Sequence, residues 1–253
     1  MPNQEYVRIV SGAKTAVLMM HGICGTPNHF RQLLTLQYQV PENWSLYNLA
    51  LEGHCKTAQD FGRSSMKKWK AHVSAVFNQL ARTHDRVILV GHSMGTLFSI
   101  GLALAHPEKV PFIFLVAVPV RVSVKPRAVI NALRIAFDRV DEQNQIQVCM
   151  RRACGLTPTK KLWKYIPWLP RMIELLQLCS QTAKEVSDLQ VPCIAWQSEK
   201  DELVSTRSAK LLQNSGRVQV YNLPNSTHFY YAPGDADKIG KSFQDACRSY
   251  VEE

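Results

Sequence analysis

The chain has 253 residues, of which 46% are hydrophobic and 20% are charged, so it buries a sizeable core and is not a disordered polypeptide. Its formal net charge is +10, but no nucleic-acid-binding motif with aromatic stacking residues accompanies that charge, which argues against a nucleic-acid partner. The longest apolar runs, such as Phe112 to Val120, are too short to span a bilayer.

Strands and helices alternate along most of the chain. The hydrophobic patterns predict strands at 6–10, 15–20, 45–50, 86–90, 110–118, 193–197 and 218–223. Helices are predicted from Thr26-Pro27 to about Gln39, and at 66–82, 96–106 and 235–251. This alternation is typical of the α/β class with a doubly wound, mostly parallel sheet.

The second predicted strand ends in His21-Gly22-Ile23-Cys24-Gly25, and a helix start follows it. Such a loop presents backbone N–H groups at the end of a strand, and we expect Ile23 to supply one donor to a developing oxyanion. We expect the ring of His21 to hold this loop by hydrogen bonding and not to act chemically.

Gly91-His92-Ser93-Met94-Gly95 joins a predicted strand to a predicted helix and has the G-x-S-x-G pattern of a nucleophile elbow. The glycines leave room for a sharp turn that exposes the Ser93 hydroxyl above the sheet. The same turn aims the Met94 N–H, at a helix N-terminus, towards an oxyanion formed at the serine.

Residues 121–185 interrupt the sheet pattern. They contain helical patterns at 127–140 and 160–180, no strand pattern, and twelve Lys/Arg against five Asp/Glu, a net charge of 12 − 5 = +7. We predict a helical cap at 121–185 inserted into an α/β core at 1–120 and 186–253. Trp163, Trp168 and Met172 of the cap are candidate walls of a substrate pocket, although apolar residues on such helices more often pack between cap and core than contact a substrate. The positive charge indicates either a solvated helix surface or attraction to anionic lipid.

An acid and a histidine follow the last two strands. Asp201 precedes Leu203-Val204 and fits the acid position better than Glu199 or Glu202, and of eight histidines only His228 follows the final strand. The order Ser93, Asp201, His228 therefore matches a nucleophile, an orienting carboxylate and a base.

These motifs, together with Gly53-His54-Cys55 and Ser226-Thr227-His228, resemble the α/β-hydrolase superfamily. Within it the chain is most similar to bacterial carboxylesterases and monoacylglycerol-lipase-like (lysophospholipase-type) serine hydrolases. The resemblance implies an α/β-hydrolase fold, Ser93 as nucleophile, His228 as base and Asp201 as its orienter, with oxyanion donors at Ile23 and Met94. The chain departs from the family pattern at Cys55 and Thr96, where the family often has glycine.

We therefore predict a serine hydrolase that cleaves carboxylic esters, such as monoacylglycerols or short-to-medium acyl esters, through an acyl-serine. A thioesterase or acyltransferase with the same triad, and a ligand-binding receptor on a hydrolase scaffold, are the alternatives. We expect no cofactor and no metal, a small acyl ester as ligand, and peripheral contact with anionic lipid. Seven cysteines without a C-x-x-C pair, and an N-terminus without a signal-like apolar segment, predict a cytoplasmic protein.

Overall fold

A computed structural model describes residues 4–251 and contains a seven-stranded sheet. Its strands are β1 (Tyr6–Arg8), β2 (Thr15–Met20), β3 (Ser45–Leu49), β4 (Arg86–His92), β5 (Ile113–Val116), β6 (Cys193–Ser198) and β7 (Val218–Leu223). Their order is β1-β3-β2-β4-β5-β6-β7, with β1 antiparallel to β3 and every other neighbouring pair parallel. The predicted doubly wound, mostly parallel sheet is confirmed.

Eight α-helices accompany this sheet among the described residues. They are α1 (Ala58–Arg63), α2 (Met66–Thr83), α3 (Met94–Ala105), α4 (Pro126–Ala136), α5 (Gln145–Ala153), α6 (Leu169–Glu185), α7 (Arg207–Gln213) and α8 (Asp235–Tyr250).

The central strands are covered on both faces, which explains their continuously apolar sequences. All six residues of β2 are buried. Leu18 belongs to the hydrophobic cluster that includes residues of α2 and α3, whereas its neighbour Met19 belongs to the cluster on the other face with Phe243 of α8. Because successive strand residues point to opposite faces, the sheet separates two cores.

The helix predicted from Thr26-Pro27 to Gln39 is wrong as one continuous element. The chain instead forms a π-helical turn at His29–Leu33 and a 3₁₀ turn at Leu36–Gln39, separated by Thr35 with φ 54°. Leu34 and Leu36 are both fully buried in the same cluster. The left-handed turn at Thr35 lies between these two buried side chains and ends the regular helical path.

The segment 121–185 contains α4, α5, a 3₁₀ helix at Leu162–Trp168 and α6. The segment is helical and precedes β6, and it includes α5, which the sequence patterns did not predict. The helix predicted at 127–140 ends at Ala136, and Asp138 has a positive φ of 55°. Ile130 and Leu133, two apolar residues aligned on this helix, face outward and are 53% and 45% exposed.

Within residues 4–251, no helix combines the length and the apolar character required to cross a membrane. Residues 1–3 and 252–253, which the predicted core boundaries and the signal-sequence prediction include, lie outside the described residues.

Candidate active site

Ser93 occupies a strained turn between β4 and α3. Its backbone angles are φ 51° and ψ −120°, a combination that side-chain-bearing residues rarely adopt. The Ser93 N–H donates to the Val116 carbonyl at 3.0 Å, and the Thr96 hydroxyl donates to the Ser93 carbonyl at 2.6 Å. The turn is therefore fixed from both sides.

Close backbone approaches explain the glycines around Ser93. A Cβ on Gly91 would lie 2.6 Å from the backbone of Thr96, and a Cβ on Gly95 would lie 1.8 Å from the Met20 carbonyl oxygen. A Cβ on Gly22 would lie 2.9 Å from the Ser93 Cβ, so the loop after β2 passes directly beside the serine. Side chains at these positions would force the strand, the helix and the loop apart.

Asp201 and His228 form a buried hydrogen-bonded pair. Asp201 Oδ2 lies 2.8 Å from His228 Nδ1, and the two side chains are 1% and 2% exposed. The other carboxylate oxygen, Oδ1, accepts the N–H groups of Leu203 at 2.7 Å and Val204 at 2.8 Å. Because Nδ1 donates to the carboxylate, the neutral imidazole keeps its lone pair on Nε2.

Glu202 adds a second buried carboxylate beside the same histidine. Its Oε2 accepts the His228 backbone N–H at 3.1 Å, and its Oε1 has no hydrogen-bond partner within the described part of the chain. Burial alone would lower the pKa of His228, but the charge and hydrogen bond of Asp201, followed by the charge of Glu202, raise it above the usual 6.5. The sequence analysis considered Glu202 only as an alternative to Asp201 for the acid position. Its place directly after Asp201 in the chain was the sequence feature that could have indicated a carboxylate near His228.

The two predicted oxyanion donors have free N–H groups. Met94 is the first residue of α3, and Ile23 lies in the loop that Gly22 brings against Ser93. Within residues 4–251, neither N–H donates to a backbone or side-chain acceptor. The helix dipole of α3 adds partial positive charge at Met94.

His21 holds this loop by two hydrogen bonds. Its Nδ1 lies 2.8 Å from the Gly22 carbonyl oxygen, and its Nε2 accepts the Leu51 N–H at 3.2 Å. A carbonyl only accepts and an N–H only donates, so these bonds require the neutral tautomer protonated on Nδ1. Burial lowers the pKa of His21 to about 4, although the bond to Gly22 opposes this shift. This geometry matches the supporting role expected from the sequence.

Two further histidines pack behind the site. The His29 and His92 rings stack with centroids 3.5 Å apart, and His92 Nε2 donates to the His228 carbonyl at 3.2 Å. His29 Nε2 lies 3.1 Å from the Tyr231 hydroxyl. Burial lowers the pKa of both His29 and His92 well below 6.5, so both rings are neutral around pH 7.

Ser93 and His228 line the same small cavity, whose volume is about 30 Å³. The other lining residues are Gly22, Ile23, Gly25, His29, His92, Ala153, Leu203 and Phe229. A larger open cleft of about 370 Å³ lies at the opposite, N-terminal ends of β2 and β3 and contains none of these residues. The chemistry of a serine and a histidine favours the smaller space as the reaction site.

The three cap residues predicted as substrate contacts lie elsewhere. Trp163 is 64% exposed, Trp168 donates its indole N–H to the Ala58 carbonyl at 2.8 Å, and Met172 packs against the core. The cap contributes Ala153 to the cavity instead. A substrate role for the three residues stays a prediction.

The two departures from the family pattern have structural consequences. Cys55 has φ 60°, a left-handed conformation that favours the glycine often found there. Thr96 is fully buried and uses its hydroxyl to bind the Ser93 carbonyl. Neither side chain removes a group from the cavity. Among residues 4–251, no cluster of three or more His, Cys, Asp or Glu is arranged to hold a metal ion.

Residues 11–229 match the family model described as serine aminopeptidase, S33. No curated protein sequence matches the chain. Among solved structures, one of the metagenome-derived lipolytic enzymes LipS and LipT is 18% identical with a TM-score of 0.73, over 97% of this chain and 98% of that chain.

A monoacylglycerol lipase from Paleococcus ferrophilus is 13% identical with a TM-score of 0.67, over 98% of this chain and 100% of that one. A soluble variant of monoglyceride lipase from Saccharomyces cerevisiae, in complex with a substrate analogue, is 13% identical with a TM-score of 0.68. The match covers 97% of this chain and 91% of that one. At these identities the likeness shows the fold, which is that of the α/β-hydrolases.

Proposed function

Because the chain belongs to the serine aminopeptidase S33 family of α/β-hydrolases, we propose that it hydrolyses carboxylic esters through an acyl-serine intermediate. The observation that carries this proposal is the shared cavity of Ser93 and His228, with Asp201 bonded to the far side of the imidazole. In the proposed reaction the Ser93 hydroxyl attacks the ester carbonyl and His228 Nε2 accepts its proton.

The oxyanion of the tetrahedral intermediate would be bound by the N–H groups of Ile23 and Met94. His228 then gives its proton to the leaving alkoxide, and the acyl group remains on Ser93. Water, deprotonated by the same histidine, attacks the acyl carbon; the bond to Ser93 Oγ then breaks, His228 returns the proton to Oγ, and the carboxylic acid leaves. The raised pKa of His228 supports this role, because the ring holds a transferred proton more firmly than an unpaired buried histidine.

The lining of the cavity favours an ester over a peptide N-terminus. A free α-ammonium group needs an anionic or strongly accepting partner when it leaves water. Among the described residues that line the cavity, none is an aspartate or a glutamate. A neutral acyl group therefore suits this site better than an amino-terminal aminoacyl group. A thioester, or an acyl acceptor other than water, would use the same residues.

Replacing Ser93 tests the mechanism. Ser93→Ala should lower kcat for p-nitrophenyl acetate by about 10⁶-fold, and the exposed Ser187→Ala should retain wild-type activity. The wild-type enzyme should also show acetylated Ser93 by mass spectrometry after acid quenching. Substantial turnover by Ser93→Ala would refute the acyl-serine mechanism. Faster cleavage of an aminoacyl p-nitroanilide than of the ester would favour a peptidase.

We also propose that the outer surface of the cap contacts anionic lipid. Exposed apolar side chains occur on α4, on the 3₁₀ helix and on α6, namely Val129, Ile130, Leu133, Leu162, Trp163, Ile166, Leu169, Ile173 and Leu176. The ammonium nitrogen of Lys161 lies 6.0 Å from the centroid of the Trp163 ring. Residues 121–185 together carry a net charge of +7. Apolar and basic side chains together match an anionic bilayer surface.

Co-sedimentation with vesicles tests this contact. Binding should be stronger to vesicles containing phosphatidylserine than to pure phosphatidylcholine, and it should weaken with salt. Trp163→Ala should reduce it, whereas Tyr38→Ala, which removes an equally exposed aromatic ring outside the cap, should not. Equal binding to both vesicle types would refute the proposal.

A further inference from the structure

The space beside Ser93 is very small for an ester hydrolase. Its volume is about 30 Å³, and roughly 10–15 Å³ is the minimum that holds one water molecule. We propose that the enzyme selects esters whose acyl group has two or three carbons. This inference rests on the proposed esterase function and specifies the acyl half of its substrate.

One wall of the cavity is held by the stacked histidines. His29 lines the cavity and is 2% exposed. Its ring stacks on His92 at 3.5 Å and meets the Tyr231 hydroxyl at 3.1 Å, so it has no free rotation away from the cavity. His92 in turn donates to the His228 carbonyl. Moving this wall outward would therefore disturb the backbone of the proposed base.

Two other walls are tied to the acid–base pair. The Leu203 N–H donates to Asp201 Oδ1 at 2.7 Å, so the position of Leu203 is coupled to that of the carboxylate. Phe229 directly follows His228, and the two rings meet edge to face with centroids 4.6 Å apart. These walls keep their places whenever Asp201 and His228 are aligned for catalysis. The small volume is thus a property of the reactive arrangement.

The roof comes from the cap and is attached to the loop after β2. Ala153, at the end of α5, is 1% exposed. Two residues later the Gly155 N–H donates to the Cys24 carbonyl at 2.9 Å, and a Cβ on Gly155 would lie 2.3 Å from Thr26 Cγ2. The roof therefore packs on the loop that carries the predicted oxyanion donor Ile23. A longer acyl chain would have to break this contact.

An acyl-length series tests the inference. We expect kcat/KM of the wild-type enzyme for p-nitrophenyl acetate to exceed that for the octanoate by about 10²-fold or more, because even one methylene group that a pocket cannot accommodate costs 10- to 200-fold. Butyrate should fall between them. The esters share one leaving group, so the differences report the acyl half alone.

Enlarging the cavity should weaken the preference for acetate. Leu203→Ala removes three carbons from a wall and keeps the backbone N–H that binds Asp201, so the octanoate-to-acetate ratio of kcat/KM should rise by about 10-fold or more. Leu211→Ala is the matched control, since Leu211 is a partly buried leucine of α7 outside the cavity lining, and the ratio should stay at the wild-type value. Ala153→Gly removes the methyl group of the roof and should also raise the octanoate-to-acetate ratio. It replaces Leu203→Ala as the test if that variant does not fold.

The outcomes separate this inference from the function on which it rests. A preference for acetate that Leu203→Ala or Ala153→Gly relaxes supports it. A wild-type preference for octanoate, with acyl-Ser93 trapped by mass spectrometry, overturns the size selection and leaves the esterase proposal standing. Absence of both ester turnover and acyl-Ser93 overturns the esterase proposal and this inference with it.

Discussion

Replacing Gly95 by alanine tests whether the elbow depends on direct backbone contact between α3 and β2. The added Cβ would lie 1.8 Å from the Met20 carbonyl oxygen and 2.5 Å from its carbon. Real Cβ contacts begin near 3.0 Å, so the helix must move by at least 3.0 − 1.8 = 1.2 Å. Overpacking costs about 1–3 kcal/mol, and we expect a cost of about 3 kcal/mol because neither backbone can rotate away. The shift also displaces the Met94 N–H, and a 1 Å misplacement lowers rates by about 10²-fold.

Thermal unfolding and ester turnover measure both effects. For a chain of about 250 residues, 1 kcal/mol corresponds to roughly 2–4 °C, so Gly95→Ala should lower Tm by about 6–12 °C. Gly101→Ala is the control on the same helix, since Gly101 is exposed and a Cβ there meets no atom within 4 Å. It should stabilise the protein by about 0.5–1 kcal/mol. Equal melting temperatures and equal kcat for Gly95→Ala and the wild type would refute the reasoning.

Three further outcomes follow from the titratable groups. Asp201→Asn should reduce kcat by about 10⁴-fold with little change in fold, because the amide favours the wrong tautomer of His228, and wild-type-like turnover would contradict the pairing. Glu202→Gln should lower the pKa of His228, so the acidic limb of the pH profile of kcat/KM should move to lower pH; a limb that stays in place or moves up would exclude an effect of this charge. The free energy of unfolding, measured in urea, should fall as the pH drops below about 6.5. Burial lowers the pKa of four histidines, which stay neutral in the folded state and take up a proton on unfolding; they are His21, His29, His54 and His92. Each of them should lower the free energy of unfolding by up to about 1.4 kcal/mol per pH unit. The raised pKa of His228 opposes this trend, and a stability that is constant between pH 7 and pH 5 would show that these histidines are not buried as neutral rings.

The sheet could be predicted from the sequence because its strands have a strong local signal. Strands covered on both faces are short apolar runs rich in β-branched residues, and helices separate them at regular intervals. The elbow was equally predictable, since Gly91, Ser93 and Gly95 are demanded by one local turn and by the strand beside it. Chain order pointed to His228 and Asp201, because each follows a strand whose end lies at the same edge of the sheet, and the structure brings these two side chains within 2.8 Å of each other.

The parts that sequence patterns missed are decided by long-range packing. The left-handed turn at Thr35 separates two short helical turns, and Leu34 and Leu36 on either side of it are buried in one cluster. Helix α5 is only nine residues long and buries just Gln147 and Ala153, so it offers no long apolar stripe, and its last residue, Ala153, lines the cavity. His29, which also lines the cavity, has no local motif that distinguishes it from a surface histidine. Such residues are recognisable only after the fold has brought their contacts together.

The proposed mechanism also requires the proton of the Ser93 hydroxyl to move to His228 and not to another buried histidine nearby. Five buried histidines belong to this region, and burial in a medium of low dielectric constant disfavours the charge on all of them. Burial therefore keeps His21, His29, His54 and His92 neutral, and only His228 has carboxylates close enough to reverse the effect. In the proposed reaction, a proton leaving Ser93 therefore has one favourable acceptor among these five rings, although the centroid of the His92 ring lies only 4.9 Å from that of His228. The neutral rings serve instead as hydrogen-bonding and packing groups that hold the loop after β2 and the wall of the cavity. In the proposed mechanism, the choice of proton acceptor and the small size of the proposed acyl pocket therefore depend on the same burial, and opening the cavity to water should weaken both.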